Sequence, residues 1–157
     1  MMQRRNFIKT SLLLSAVALF NPERYQHRLL GFEEAIELTY QQVLKEFCEG
    51  RTAVDGSLLI SLTIPTQPGS SVTIPVEVSV ESPMNEEDYI RSIAILTTKN
   101  KVNKAVIVEY TPANGIAYLF ANIKLSQTQD VVVLAKTNKG VIYKASKKIL
   151  VAINGCD

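Results

Sequence analysis

The residue best placed for covalent chemistry is Cys156, one position from the end of the chain in Asn154-Gly155-Cys156-Asp157. It directly follows an apolar run, Ile149-Leu150-Val151-Ala152-Ile153, that reads as a final strand. A core cysteine would lie inside that run. A cysteine beyond it, beside glycine, is a thiol held out on a tether. Such a thiol can carry a group as a covalent adduct and take it to several sites without releasing it. The three residues after Ile153 reach about 10 Å when extended. Asp157 brings its side-chain carboxylate and the terminal carboxylate next to the thiol, and both disfavour the thiolate. The expectation is a sluggish nucleophile that is activated inside a partner's positive pocket.

The second cysteine, Cys48, stands at the end of a helical pattern, and three readings of it stay open. It is a small buried residue, a disulfide partner for Cys156, or a second reactive thiol. A Cys48–Cys156 bridge would close a loop worth about 4–5 kcal/mol in the loop-entropy account, at the cost of tying the tail down. The two bridged or exchanging states define the rival functions: an exported sandwich interaction module with a structural disulfide, or a thiol-disulfide exchange protein.

Other chemistry is sparse. The chain has one histidine, His27, in a polar irregular segment, so the usual nucleophile–histidine pairing has little to draw on. It has no CxxC, HExxH or GxSxG motif and no phosphate-cradling glycine loop. Glu86-Glu87-Asp88 lacks the spacing of a calcium loop and reads as a solvated connection. The expectation is no catalytic residue, no metal and no cofactor.

The elements that must position Cys156 fit one domain behind a leader. Residues 1–20 place Arg4-Arg5 before Asn6-Phe7-Ile8-Lys9 and a short apolar stretch. That pattern resembles the twin-arginine export signal, with possible cleavage after Ala18. Export by that route delivers a folded protein to an oxidising periplasm. The apolar stretch is too short for an ordinary spanning helix, so no membrane is expected in the mature form. Removing Arg4, Arg5 and Lys9 from the 17 positive residues leaves 14 against 15 negative. That balance, without aromatic-basic interleaving, speaks against nucleic acid.

Residues 21–50 read as a polar segment and then one amphipathic helix over 32–47. Its apolar positions are Ala35, Ile36, Leu38, Val43, Leu44 and Phe47, Glu33 and Glu34 occupy its first turn, and it ends near Gly50. From Gly56 the period changes to two. Leu58, Ile60, Leu62 and Ile64 alternate, and Val72, Ile74, Val76, Val78 and Val80 share one face opposite polar residues. Pro75 cannot donate to a ladder, which places this strand at an edge or a bulge. Further strands are predicted over about 89–98, 104–111, 116–125, 130–136, 141–145 and 147–153. Asn114-Gly115 suits a tight hairpin turn. The fold class is mainly β: an antiparallel β-sandwich over 51–153 preceded by one N-terminal α-helix, with 154–157 as a C-terminal arm.

A set of short motifs resembles the SoxY family, the sulfur-carrier subunits of the bacterial thiosulfate-oxidation (Sox) system. They are Ile74-Pro75-Val76, Ser82-Pro83-Met84 with Asp88-Tyr89-Ile90, Ser92-Ile93, Lys99-Asn100, Ile123-Lys124-Leu125, Gln129, Gly140 and Ile153-Asn154-Gly155-Cys156. The resemblance spans roughly Phe47 to Asp157. It implies an immunoglobulin-like sandwich paired with a second sandwich subunit, SoxZ, and a swinging arm whose cysteine bears thiosulfate-derived sulfur. It also implies a haem-containing enzyme that loads the arm and a hydrolase that releases sulfate. The carrier role falls on Cys156, and Asn154, Gly155 and Asp157 complete the arm. The family arm is Gly-Gly-Cys-Gly-Gly. Here Asn154 replaces the first glycine and Asp157 replaces the last two, making the arm stiffer, shorter and more negative. Lys124 stands where the family commonly has arginine, and Cys48 is not a family feature.

Overall fold

The computed structural model describes residues 39–71 and 73–151. The leader over 1–20, the segment with His27, the first part of the expected helix, Val72, and the arm Asn154, Gly155, Cys156 and Asp157 lie outside the described residues.

Helix α1 (Tyr40–Cys48) starts later than the expected 32–47 helix. Thr39 is extended (φ −65°, ψ 157°) and caps it, so no single helix runs from 32 to 47. The Thr39 hydroxyl accepts the Gln42 N–H at 3.4 Å, and Gln42 Oε1 accepts the Thr39 N–H at 2.7 Å. This reciprocal capping box is the physical reason for the break. Glu33 and Glu34 therefore do not occupy the first turn of α1, which holds no acidic residue. At the other end Glu49 takes the left-handed conformation (φ 51°) and Gly50 follows it at φ 76°, which stops the helix.

Eight strands follow: β1 (Val54–Asp55), β2 (Ile60–Thr63), β3 (Ile74–Val80), β4 (Ile90–Thr97), β5 (Lys104–Glu109), β6 (Ala117–Ile123), β7 (Gln129–Thr137) and β8 (Ile142–Ile149). They form a five-stranded sheet in the order β1-β8-β7-β4-β5 and a three-stranded sheet in the order β2-β3-β6. Among the described residues, the mainly-β sandwich with one helix is the architecture found. Its ladders are antiparallel except for β1, which runs parallel to β8.

The core between the sheets takes Ile74, Val76, Val78 and Val80 from β3, Ile93 and Ile95 from β4, Val131 and Val133 from β7, and Ile149 from β8. Each Val or Ile buried there contributes about 1.5–3 kcal/mol of transfer free energy. A second, smaller core lies on the outer face of the five-stranded sheet. There α1 sets Val43 and Cys48 on Ala94, Leu96, Val132, Leu134 and Ile142. The middle strands β4 and β7 are thus buried on both faces, and their sequences are near-continuous apolar runs.

Three further expectations need correction. The Asn114-Gly115 pair does not make a hairpin: β5 and β6 belong to different sheets, and a 3-10 turn over Pro112–Asn114 carries the chain across. Gly115 (φ 70°) ends that turn, and the buried Tyr110 ties the crossing by donating its hydroxyl to the Tyr118 carbonyl at 2.8 Å. The strands expected over 141–145 and 147–153 are one strand, β8. Ser146 faces outward in unbroken register with Val132, so its polarity is part of the alternation and not a break. Finally, β3 is the centre of its sheet, not an edge. Pro75 is tolerated because β2 ends opposite Glu77, which leaves Pro75 with only Asn122 of β6 as its ladder partner.

Candidate functional site

The arm and Cys156 lie outside the described residues, so the site is built from its root. In the β7–β8 ladder Ile149 pairs with Gln129, so the chain leaves β8 at the end of the sandwich where β7 begins. Two contacts hold the departing backbone. The Leu150 N–H donates to the Thr66 carbonyl at 2.8 Å. The Val151 N–H donates to Thr128 Oγ1 at 3.0 Å, and that hydroxyl is 3.3 Å from the Val151 carbonyl it donates to.

Behind Thr128 sits a polar bracket. Gln129 is 2 % exposed, and its carboxamide is fully used. Oε1 accepts the Lys99 N–H at 2.7 Å, and Nε2 donates to Asn100 Oδ1 at 2.7 Å and to the Gln127 carbonyl at 3.2 Å. Asn100 Nδ2 donates to the Lys124 carbonyl at 2.7 Å, and Asn100 Oδ1 accepts the Ser126 N–H at 3.0 Å. A buried amide with every partner satisfied rigidifies its surroundings. Here it locks the β4–β5 and β6–β7 loops against the strand end from which the arm departs. Lys99, Asn100, Lys124 and Gln129, scattered in sequence, are brought together at the arm root. Thr128, Ser126 and Thr66 join them without any sequence signal, because their contacts depend on the ladder register.

Ile74-Pro75-Val76 pairs with Ala121, Asn122 and Ile123 on the arm-root side, whereas the Ser82-Pro83-Met84 and Asp88-Tyr89-Ile90 segments and Gly140 gather at the opposite end. Met84 is buried at φ 49°, and its N–H donates to Ser82 Oγ at 3.3 Å. Asn85 Oδ1 accepts the N–H groups of Glu87 and Asp88 at 3.0 and 2.8 Å. Asn138 then stitches this loop to the β7–β8 turn, exchanging hydrogen bonds with Tyr89 at 2.9 and 3.3 Å. Asp88 pairs with Lys139 at 3.0 Å. These contacts make the Ser-Pro-Met segment and Gly140 part of the scaffold, apart from the arm root.

Cys48 is a free, buried thiol. Burial pushes its pKa up, opposed by the charges of Lys136 and Lys144. It borders a cavity of about 420 Å³ between α1 and the 50–53 segment, with Lys45, Arg51 and Lys144 also on its wall. A cavity of about 550 Å³ runs along the seam between β8 and β2 and is lined by no cysteine or histidine. Among the described residues no three His, Cys, Asp or Glu side chains come together to hold a metal ion, and no helix is long and apolar enough to cross a membrane.

The fold and root define a class first: a two-sheet β-sandwich with one helix-covered sheet, whose last strand releases the chain beside a buried polar bracket. The family model of the sulfur oxidation protein SoxY matches residues 44–156. The chain belongs to the SoxY family. Among solved structures it is similar to the sulfur carrier protein SoxY from Chlorobium limicola f thiosulfatophilum, with a TM-score of 0.60, 18 % identity, and 72 % of this chain and 96 % of that one covered. It is also similar in fold to the superoxide reductase (neelaredoxin) from Ignicoccus hospitalis (TM-score 0.50, 17 % identity, 60 % and 80 % covered). A putative superoxide reductase from Thermotoga maritima scores alike (TM-score 0.50, 18 % identity, 59 % and 85 % covered). At these identities the structural likeness is one of fold. No curated protein matches the chain.

Proposed function

We propose that this protein is a carrier, not an enzyme, and holds sulfur-oxidation intermediates covalently on Cys156. The observation that carries the reading is that the SoxY match extends to residue 156, directly beyond a strand end that the structure braces. In this reading the Cys156 thiol and the outer sulfur of thiosulfate form an S–S bond. Two electrons pass to a haem-containing loading enzyme and the thiol proton to solvent. A hydrolase then adds water across the bond to the sulfonate, releasing sulfate and leaving a persulfide. The chain supplies position and reach and needs no cofactor of its own.

The same reading places the protein in the periplasm, exported folded through the Arg4-Arg5 signal, and pairs it with a SoxZ-like sandwich subunit. A surface suited to association supports the pairing alone: Tyr118 and Phe120 are exposed on the outer face of the three-stranded sheet, on its edge strand β6. The bridged and exchanging alternatives need a second thiol within reach of Cys156, and Cys48 is buried as a free thiol at the end of α1, against the five-stranded sheet.

Intact-mass analysis of protein from native periplasm tests the carrier. Added sulfane sulfur or sulfonate on Cys156, absent from Cys156→Ser, is the expected result. A native mass short of two hydrogens, with both cysteines linked, would sink it.

A further inference from the structure

The two ends of the sandwich carry opposite charge. At the arm end, Lys99 and Lys101 lie on the β4–β5 loop, Lys124 on the β6–β7 loop and Lys148 near the end of β8, all exposed. Among the described residues one carboxylate, Asp130, lies among them, opposite Lys148 in the ladder, and in sequence Asp157 follows on the arm. At the far end the β3–β4 connection carries Glu81, Glu86, Glu87 and Asp88, offset by Lys139 and Arg51, with Arg91 paired to Glu109. The bracket fixes the basic side: Asn100 binds the Lys124 backbone and Gln129 the Lys99 backbone, at 2.7 Å each. The lysines thus form a collar on braced loops around the point where the chain departs.

We propose that this collar is a docking surface for a partner protein that presents an acidic rim around its cleft. The inference deepens the carrier reading and rests on it. From Val151, the last braced residue, to Cys156 is a span of about 16 Å when fully extended. A partner that takes the thiol into a cleft must therefore bring its rim against this end. Exposed lysines on three separate elements hold a small anion weakly. Facing a broad acidic surface they act together, and the opposed charge of the far end turns the basic end toward that surface during approach. The occupant is thus a protein rim and not the small sulfur oxyanion itself.

The test uses the ¹⁵N-labelled full chain with Cys156 capped by iodoacetamide, so it does not depend on sulfur loading. The probe is a polyglutamate decapeptide, with thiosulfate alone as the second arm. Amide shifts should cluster in the 98–104, 124–128 and 148–151 segments. The affinity should fall about tenfold between ionic strengths of about 0.01 M and 0.15 M, and thiosulfate should produce no localised shift. The triple variant Lys99→Glu, Lys124→Glu, Lys148→Glu should lose the response while Lys45→Glu on α1 keeps it. Shifts centred elsewhere, an equal response to thiosulfate, or an unaffected triple variant would overturn the proposal. So would self-association of the chain through its acidic end, seen as a concentration-dependent mass in sedimentation. Because Cys156 is capped, failure here leaves the native mass result standing, and an unloaded native Cys156 leaves the collar result standing.

Discussion

At the scale of single residues, the two cysteines separate by environment. Cys48 is 4 % exposed and its thiol is held up in pKa by burial, so it should be alkylated far more slowly than Cys156 in the native protein. Peptide mapping after timed iodoacetamide treatment should show that difference disappear in denaturant; equal native rates would mean that α1 does not protect the thiol. The Glu49 carboxyl is held below its usual range, chiefly by the hydrogen bond from Lys136 Nζ at 2.6 Å. A carboxylate depressed in the folded state stabilises it above the unfolded pKa, and that contribution is lost as pH falls through the folded value. The wild type should therefore lose more thermal stability than Glu49→Gln between about pH 7 and about pH 3; parallel Tm curves would refute the pairing. The reading of Cys156 rests on the sequence alone, on its place past the last apolar run. The Thr128 clasp on Val151 was not legible there, since nothing local to Thr128 reveals that β8 ends beside it.

At the scale of elements, the alternation of β3 was legible because one face is wet, and the pattern of Ile74, Val76, Val78 and Val80 survives intact in the structure. Strand β1 was missed because two residues carry no period, and it exists only by pairing with Tyr143 and Lys144. The Asn114-Gly115 turn misled because local turn chemistry cannot tell a hairpin from a crossing between sheets. The bracket at the arm root belongs to this scale, since one side chain ties two loops to a strand. Replacing Gln129 with Leu strips the Lys99 N–H and Asn100 Oδ1 of buried partners, and should cost about 2–3 kcal/mol in urea unfolding. It should also speed hydrogen exchange in the 98–104 and 124–128 segments. A loss of stability spread evenly over the sandwich would show that the amide packs the core without bracing the loops. At the other end, Gly140 (φ 82°) lies against the Arg51 guanidinium, which donates to its carbonyl at 2.8 Å. Gly140→Ala should cost about 1–2 kcal/mol from the left-handed backbone alone, with the β7–β8 turn loosened and the arm root unaffected.

At the scale of the whole molecule, one side of the sandwich stays open. Among the described residues strands β5 and β6 are unpaired edges on this side, as β1 and β2 are edges on the other, and the outer face beside β6 shows Phe120 at 55 % and Tyr118 at 41 % exposure. Their ladder partners on that face, Glu77 and Ser79 of β3, are polar and exposed, so the rings are not covered from within. Exposed aromatics beside an unpaired edge are a liability for an isolated sandwich and an asset for one that binds a partner, where such rings serve as anchors. A SoxZ-like subunit seated there would leave the arm end and its lysines free for a third protein. Phe120→Ser removes the more exposed ring without touching the core. The variant should keep the wild-type Tm within about 1–2 °C, since an exposed side chain contributes little to folding. Its affinity for the partner subunit should fall about tenfold or more, measured by titration calorimetry of the two purified chains. Unchanged affinity would move the partner to another face, and the open edge of β5, with Ile107 on its outer side, would then be the next surface to probe.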